Sequence, residues 1–326
     1  MSDPSPASDD PTVEAPPVEF EEAPCPMGCP PGAREVLVGT DRLHGRPGTF
    51  RIVRCRHCGL MRTNPRPTPE TIGWFYPPEY GPFAAPVSPR PASALRDRAR
   101  ELLGSNATRL PSLPPGRMLE IGCATGNFLA EQAARGWAVE GIEPDPDAAH
   151  VARERGFDVQ TGQLETATPP EEPYGLVVGW MVLEHLHQPI ACLEKLHAWT
   201  RPGGWLAISV PNAAALEFRL FRTRWYALQL PTHLFHYTPT TIENVLAAGG
   251  WDMERLFHQR ALNNFFASAG YLLDDLGAPS GVTRWFLDYP ADVGPLQRAT
   301  IRAAEIAAAA AGQTGRMTVW ARRRDD

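Results

Sequence analysis

From Arg117 onward the chain alternates two hydrophobic periods. Short apolar runs of four to six residues are separated by stretches whose apolar positions recur every three or four residues. The short runs predict strands at 117–121, 138–143, 158–161, 176–179 and 205–210, with 253–257 and 317–322 completing a sheet. The longer period predicts helices at 127–135, 145–155, 190–200 and 240–248, and a largely helical insertion over 263–312 before the final strand. Strands alternating with helices bury both faces of a mostly parallel sheet, so the predicted fold class is α/β and Rossmann-like. The sequence shows no internal repeat.

Upstream of 117 both periods fail. Residues 1–24 are rich in proline and acids, carry no base and predict a disordered tail that cannot offset the entropy of ordering. Residues 25–60 hold four of the six cysteines, and residues 61–115 are broken by prolines into an irregular connector with one helix near 94–103. The expected organisation is therefore tail 1–24, cysteine knuckle 25–60, connector 61–115 and main domain 116–326.

Composition narrows the function classes. The net charge of -6 comes largely from the first 24 residues, and the rest is near neutral, which argues against a protein built to neutralise nucleic-acid phosphates. The N-terminus has neither a basic nor an apolar leader and no apolar run is long enough for a transmembrane span, so a cytoplasmic protein is expected. Lys195 is the only lysine, which makes Schiff-base chemistry improbable.

The chemistry-bearing segment is Glu120-Ile121-Gly122-Cys123-Ala124-Thr125-Gly126-Asn127-Phe128, a small-residue turn between the first strand and the first helix. Such a turn lets a ligand approach backbone N–H groups that a β-carbon would obstruct. Glu120 would repel a pyrophosphate there but suits a cationic ligand. Glu143, followed by Pro144 at the end of the second strand, can accept hydrogen bonds from ribose hydroxyls. Either acid alone would equally suit a helix cap or a solvent-facing position; the pair on consecutive strands favours an adenosine-bearing cation.

These residues resemble the class I S-adenosylmethionine-dependent methyltransferases, especially a bacterial branch with a zinc-binding N-terminus. The resemblance spans about residues 25–258. It implies cofactor contacts from Glu120, Gly122, Ala124, Gly126, Asn127, Phe128, Glu143 and Pro144, from Gln163 and Leu164 in the loop after the third strand, and from Trp180 in the segment Trp180-Met181-Val182-Leu183-Glu184-His185-Leu186. It also implies a small-molecule acceptor from sugar, glycan or secondary-metabolite chemistry. Two positions depart from the family pattern: Ala124 replaces the middle glycine of the loop, and Gly175 stands where an aspartate usually follows an aromatic.

Cys25, Cys29, Cys55 and Cys58 form two close pairs, and four thiolates can close a tetrahedral structural zinc site. Unligated core cysteines or a redox pair are the other readings. Methyl transfer to a hydroxyl or carbon acid calls for a base; His233 and His185 are the leading candidates, ahead of His236, while His187 and His197 read as helix-surface residues. Trp225, Tyr226 and Phe235 could line an acceptor pocket or simply fill the core. Two further readings stay open: a nucleotide-sugar or NAD-dependent enzyme, disfavoured by Glu120, and a zinc-ribbon binding protein that has lost activity.

Overall fold

The computed structural model describes residues 17–77, 107–289 and 293–325. Residues 1–16 and the helix expected near 94–103 lie outside them. The N-terminal module contains β1 (Phe20–Glu21), β2 (Ala33–Gly39), β3 (Phe50–Cys55), β4 (Met61–Thr63) and β5 (Arg66–Pro67). The tail therefore does not extend to residue 24. Phe20 and Glu21 pair antiparallel with Pro67 and Arg66, and the Asn64 side chain accepts the Ala23 N–H at 2.7 Å. The connector likewise starts later than 61, because β4 and β5 belong to this module.

The main domain opens with β6 (Arg117–Ile121), followed by α1 (Asn127–Ala133), β7 (Ala138–Glu143), α2 (Pro146–Glu154), β8 (Asp158–Thr161) and β9 (Tyr174–Trp180). Then come α3 (Pro189–Trp199), β10 (Thr200–Pro211), α4 (Leu216–Phe221), β11 (Phe235–His236), α5 (Pro239–Ala248) and β12 (Trp251–His258). Helices α6 (Asn263–Asp275), α7 (Ser280–Leu287) and α8 (Pro295–Ala310) fill the expected insertion before β13 (Arg316–Arg323). Local chemistry sets several starts. Asp145 caps α2 by accepting the Ala148 N–H at 2.7 Å, with Pro146 at the first helical position, and Thr238 and Thr241 form a capping box on α5.

Seven strands form one sheet in the order β12-β13-β10-β9-β6-β7-β8, parallel except that β13 runs against both neighbours. This is the Rossmann-like arrangement that the alternating periods predict. The chain moves outward from β6 through β7 to β8 and then returns to β9 on the other side of β6. The crevice beyond the carboxyl ends of β6 and β9 is thus the topological switch point, where open α/β sheets bind ligands. Val177, Leu206, Ile208 and Leu119 pack one face of the sheet against Leu193, Leu196, Ile242 and Leu246 of α3 and α5.

A second sheet joins the two parts of the chain. Its order is β11-β4-β3-β2, with Phe235 opposite Arg62 and His236 opposite Met61. The main domain thus donates the edge strand that completes the N-terminal sheet. Leu60 and Ile72 enter the same core cluster as the central strands. His187, expected on a helix surface, is 8 % exposed because its Nε2 lies 3.0 Å from the Pro67 carbonyl, a segment 120 residues away.

Candidate active site

The glycine loop leaves β6 through positive-φ residues at alternate positions, Gly122 (φ 68°), Ala124 (φ 45°) and Gly126 (φ 76°). A β-carbon on Gly122 would sit 2.6 Å from Val182 Cγ2, so the segment after β9 packs directly on the loop. Ala124 departs from the family pattern in sequence but keeps the left-handed backbone, at a steric cost that glycine would not carry.

Glu143 ties this loop to β7. One carboxylate oxygen accepts the Ala124 N–H at 2.7 Å and the other the Asp145 N–H at 2.9 Å. Each oxygen keeps a second acceptor position open. Burial pushes Glu143 above the usual carboxylate range, against these two amide hydrogen bonds. Glu120 is 3 % exposed, its Oε2 has no hydrogen-bond partner, and burial first and the Glu143 charge second hold it well above the usual range. Thr125 Oγ1 and Trp180 Nε1 are also buried without partners. An isolated buried carboxylate is costly, and a cationic ligand with hydroxyl groups answers both acids.

Of the other residues expected around the cofactor, Asn127 and Phe128 open α1 directly after the loop. The Asn127 side chain and the Thr125 carbonyl both accept from Arg155, and Phe128 stands edge-on to Trp180 at 5.2 Å. Pro144 and Gln163 are exposed, whereas the Leu164 side chain is in the core. Lys195 holds the Leu164 loop by donating to the carbonyls of Leu164, Glu165 and Ala167, which explains the single lysine structurally. Gly175 lies near the amino end of β9, away from the crevice, where a β-carbon would meet Arg201 Nε at 3.3 Å. The missing aspartate therefore removes nothing from the site.

Beyond the loop, one carboxylate oxygen of Glu184 and one ring nitrogen each of His185 and His233 converge within 4.8 Å of one another. The two imidazoles meet edge to face at 4.7 Å. His185 Nδ1 lies 3.0 Å from the Thr232 carbonyl and 2.8 Å from the Tyr76 hydroxyl; His233 Nδ1 lies 2.9 Å from the Ala227 carbonyl. A carbonyl only accepts, so this network assigns both protons to Nδ1 and leaves Nε2 of each ring with its lone pair. Burial brings His185 down to about 4 and His233 well below its ordinary value. His185 is the partly exposed ring of the pair, while His233 is 1 % exposed.

Behind the histidines sits a buried polar cluster that the sequence reading did not assemble. Glu184 is fully buried and pushed up to about 8, Glu217 accepts Trp225 Nε1 at 3.0 Å, and the half-buried Arg316 feels both acids. Trp225 and Phe235 are core residues rather than pocket walls. Tyr76 was read only as part of an irregular connector.

At the N-terminus the four sulfurs of Cys25, Cys29, Cys55 and Cys58 lie within 4.8 Å of one another, with Cys25 and Cys58 at 3.5 Å. A tetrahedral zinc thiolate, with bonds near 2.3 Å, spaces its sulfurs by about 3.8 Å. Burial opposes the Cys55 thiolate, yet the N–H groups of Cys58 and His57 outweigh it and bring it down to about 6.

Comparison with known proteins agrees with this geometry. A family profile described as a methyltransferase domain matches residues 94–256, half of the chain. The chain belongs to the methyltransferase-domain family. Among curated relatives it is 34 % identical to a trans-aconitate 2-methyltransferase of Rhizobium meliloti over 118 residues, 35 % of this chain and 44 % of that protein. It is 34 % identical to a ubiquinone biosynthesis O-methyltransferase of Aeromonas salmonicida over 103 residues, 29 % of this chain and 43 % of that one. The chain thus spans less than half the length of these two relatives. A solved S-adenosylmethionine-dependent methyltransferase from Mesorhizobium loti shares 18 % identity at a TM-score of 0.45, covering 66 % of this chain and 94 % of that one.

Two predictions follow from the site's geometry. Gly122→Ala should cost about 2 kcal/mol or more through the Val182 clash and the positive φ, whereas Ala124→Gly should be neutral or stabilise by about 1 kcal/mol. Urea unfolding of the two variants reads the opposite signs. For pH, the folded His185 binds fewer protons than the unfolded chain between about 4 and 6.5, so stability rises with pH through that window. The folded Glu184 binds more protons between 4.5 and about 8, so its contribution is lost as pH rises through that range. Glu184→Gln should therefore flatten the decline between pH 6.5 and 8 by roughly 2 kcal/mol, which urea midpoints across that range would measure.

Proposed function

We propose that this chain is an S-adenosylmethionine-dependent methyltransferase acting on a hydroxyl or carbon acid of a small-molecule acceptor. The observation that carries the reading is Glu120: a buried carboxylate without a partner, on the strand that feeds a left-handed glycine loop, at the switch point of the sheet. A dinucleotide would set its pyrophosphate near that acid, whereas the ammonium and sulfonium of S-adenosylmethionine are attracted by it. Glu143 has acceptor positions left for ribose hydroxyls while it holds Ala124 in place. Gln163 and Leu164 bound the adenine side, and Phe128 and Trp180 flank the loop.

When bound, the cofactor supplies an electrophilic methyl group on sulfur. Residues 120–128 and Glu143 would hold that cofactor, and the methyl would pass to the acceptor's electron pair with the carbon–sulfur bonding electrons left on sulfur. His185 is the base: its Nε2 lone pair takes the acceptor proton, and Nδ1–H is held by Thr232 and Tyr76. A ring held near 4 by burial is neutral at physiological pH, so its Nε2 lone pair is free, but it is a weaker base than an ordinary imidazole until the bound acceptor changes its surroundings. His233, almost fully buried, positions His185 edge-on, and Glu184, mostly protonated near neutral pH, keeps net charge out of the pocket. Packing of Val182 on Gly122 couples this histidine segment to the cofactor loop.

The four cysteines hold one structural zinc, with no open coordination position. The acceptor class includes the sugar and glycan hydroxyls that the family resemblance implies. The curated relatives carry the names of other acceptors, trans-aconitate and a ubiquinone precursor pathway, so the common denominator is a small molecule.

Calorimetry of the full chain with S-adenosylmethionine tests the cofactor assignment. Binding should be measurable and should weaken by about tenfold or more in Glu120→Gln, the loss of one buried charge interaction being worth at least ~1.4 kcal/mol; binding of NAD instead would refute it. Metal analysis should find one zinc per chain, removed by a thiol-reactive mercurial with loss of stability. A fully folded, metal-free preparation would contradict the knuckle.

A further inference from the structure

A groove of about 720 Å3 opens between the β2–β3 hairpin and α4, outside the site described above. Its walls carry Arg34 and Arg54 from the hairpin, Arg219 from α4 and Arg222 from the turn that follows, against one carboxylate, Glu35. Among the described residues none of these four arginines makes an ion pair, although nine arginine–carboxylate pairs are found there. Like charges gathered without counter-charge are unfavourable unless a ligand supplies it.

Two details show that the cluster is held rather than accidental. Arg54 Nε is buried without a partner, and both burial and the Arg34 charge press its guanidinium below the ordinary value. Arg222 keeps a φ of 54°, which a residue with a β-carbon rarely adopts, while its Nη2 donates to the Val36 carbonyl at 3.0 Å and fixes it on the groove wall. The groove is also in register with His236 of β11, three residues beyond His233. Arg34 pairs with Arg54, Arg54 with Met61, and Met61 with His236, so one rung crosses the whole N-terminal sheet. Three strand spacings make this rung roughly 14 Å long.

We propose that this groove binds a multiply charged oxyanion and serves as the handle by which an anionic acceptor is held, with its reacting end toward the histidines. Guanidinium groups bind phosphate and carboxylate oxygens in the same forked geometry, so a phosphate ester and a polycarboxylate share the required chemistry. The acceptor role rests on the methyltransferase reading; the anion site itself does not.

Titration of the full chain with inorganic pyrophosphate and, separately, with citrate at low salt tests the proposal. At least one should bind, and Arg54→Gln and Arg219→Gln should each weaken it by about tenfold, as expected for loss of a charge-assisted pair. Tighter pyrophosphate binding assigns a phosphate-bearing handle, and tighter citrate binding a carboxylate-rich one. Arg219 is exposed, so its variant keeps the proposal testable if Arg54→Gln fails to fold. Absence of binding by both anions, or binding undiminished in Arg219→Gln, overturns it. S-adenosylmethionine affinity in the same samples should stay at the unmodified level; its absence in the unmodified chain, with anion binding retained, would remove the methyltransferase reading and leave the anion site standing.

Discussion

The pairing of β4 with β11 is the constraint on which the rest of the site depends. Arg62 faces Phe235 and Met61 faces His236, while the Thr63 N–H donates to the Leu234 carbonyl at 2.9 Å and its hydroxyl to the His233 carbonyl at 2.8 Å. Through this short ladder a segment close to the cysteine knuckle fixes the backbone on both sides of the histidines. Tyr76, a few residues further along the same N-terminal module, then reaches His185. The candidate base is thus oriented by residues more than a hundred positions away, and a structural metal in the knuckle would rigidify the scaffold that orients it.

Electrostatics divides the crevice into two halves. On the cofactor side, Glu120 and Glu143 are buried acids whose remaining acceptor capacity calls for a cation and hydroxyl groups. On the acceptor side, burial keeps the imidazoles neutral and Glu184 close to neutral, with Arg316 near it. A proton taken from the acceptor would meet a ring that starts uncharged. The arginine groove lies outside both halves, on the strand register that ends at His236.

Much of the main domain was legible in the sequence. Strands 117–121, 138–143 and 158–161 agree with the structure to the residue, because each apolar run is closed by a glycine, a charge or a helix cap. The strand expected at 205–210 extends over Thr200–Pro211, since Thr200 pairs with Tyr174 across an irregularity that a hydrophobic period does not mark. The N-terminal module was harder to read. Two-residue strands such as β1 and β5 have no period, and their partners come from distant segments. The same reason hid Tyr76 and the burial of His187, whose roles arise from contacts 109 and 120 residues apart. The candidate site residues visible in the sequence lie in local motifs; the network around His185 is a product of tertiary pairing.

Native-state amide hydrogen exchange tests this dependence most directly. If the knuckle sheet and the candidate-site histidines form one cooperative structure, the amides of Thr63 and Leu234 should exchange with the same opening free energy as the central strand residues Val177 and Val178. Exchange of Thr63 and Leu234 through a separate, lower-energy opening, with the central strands still protected, would contradict the account.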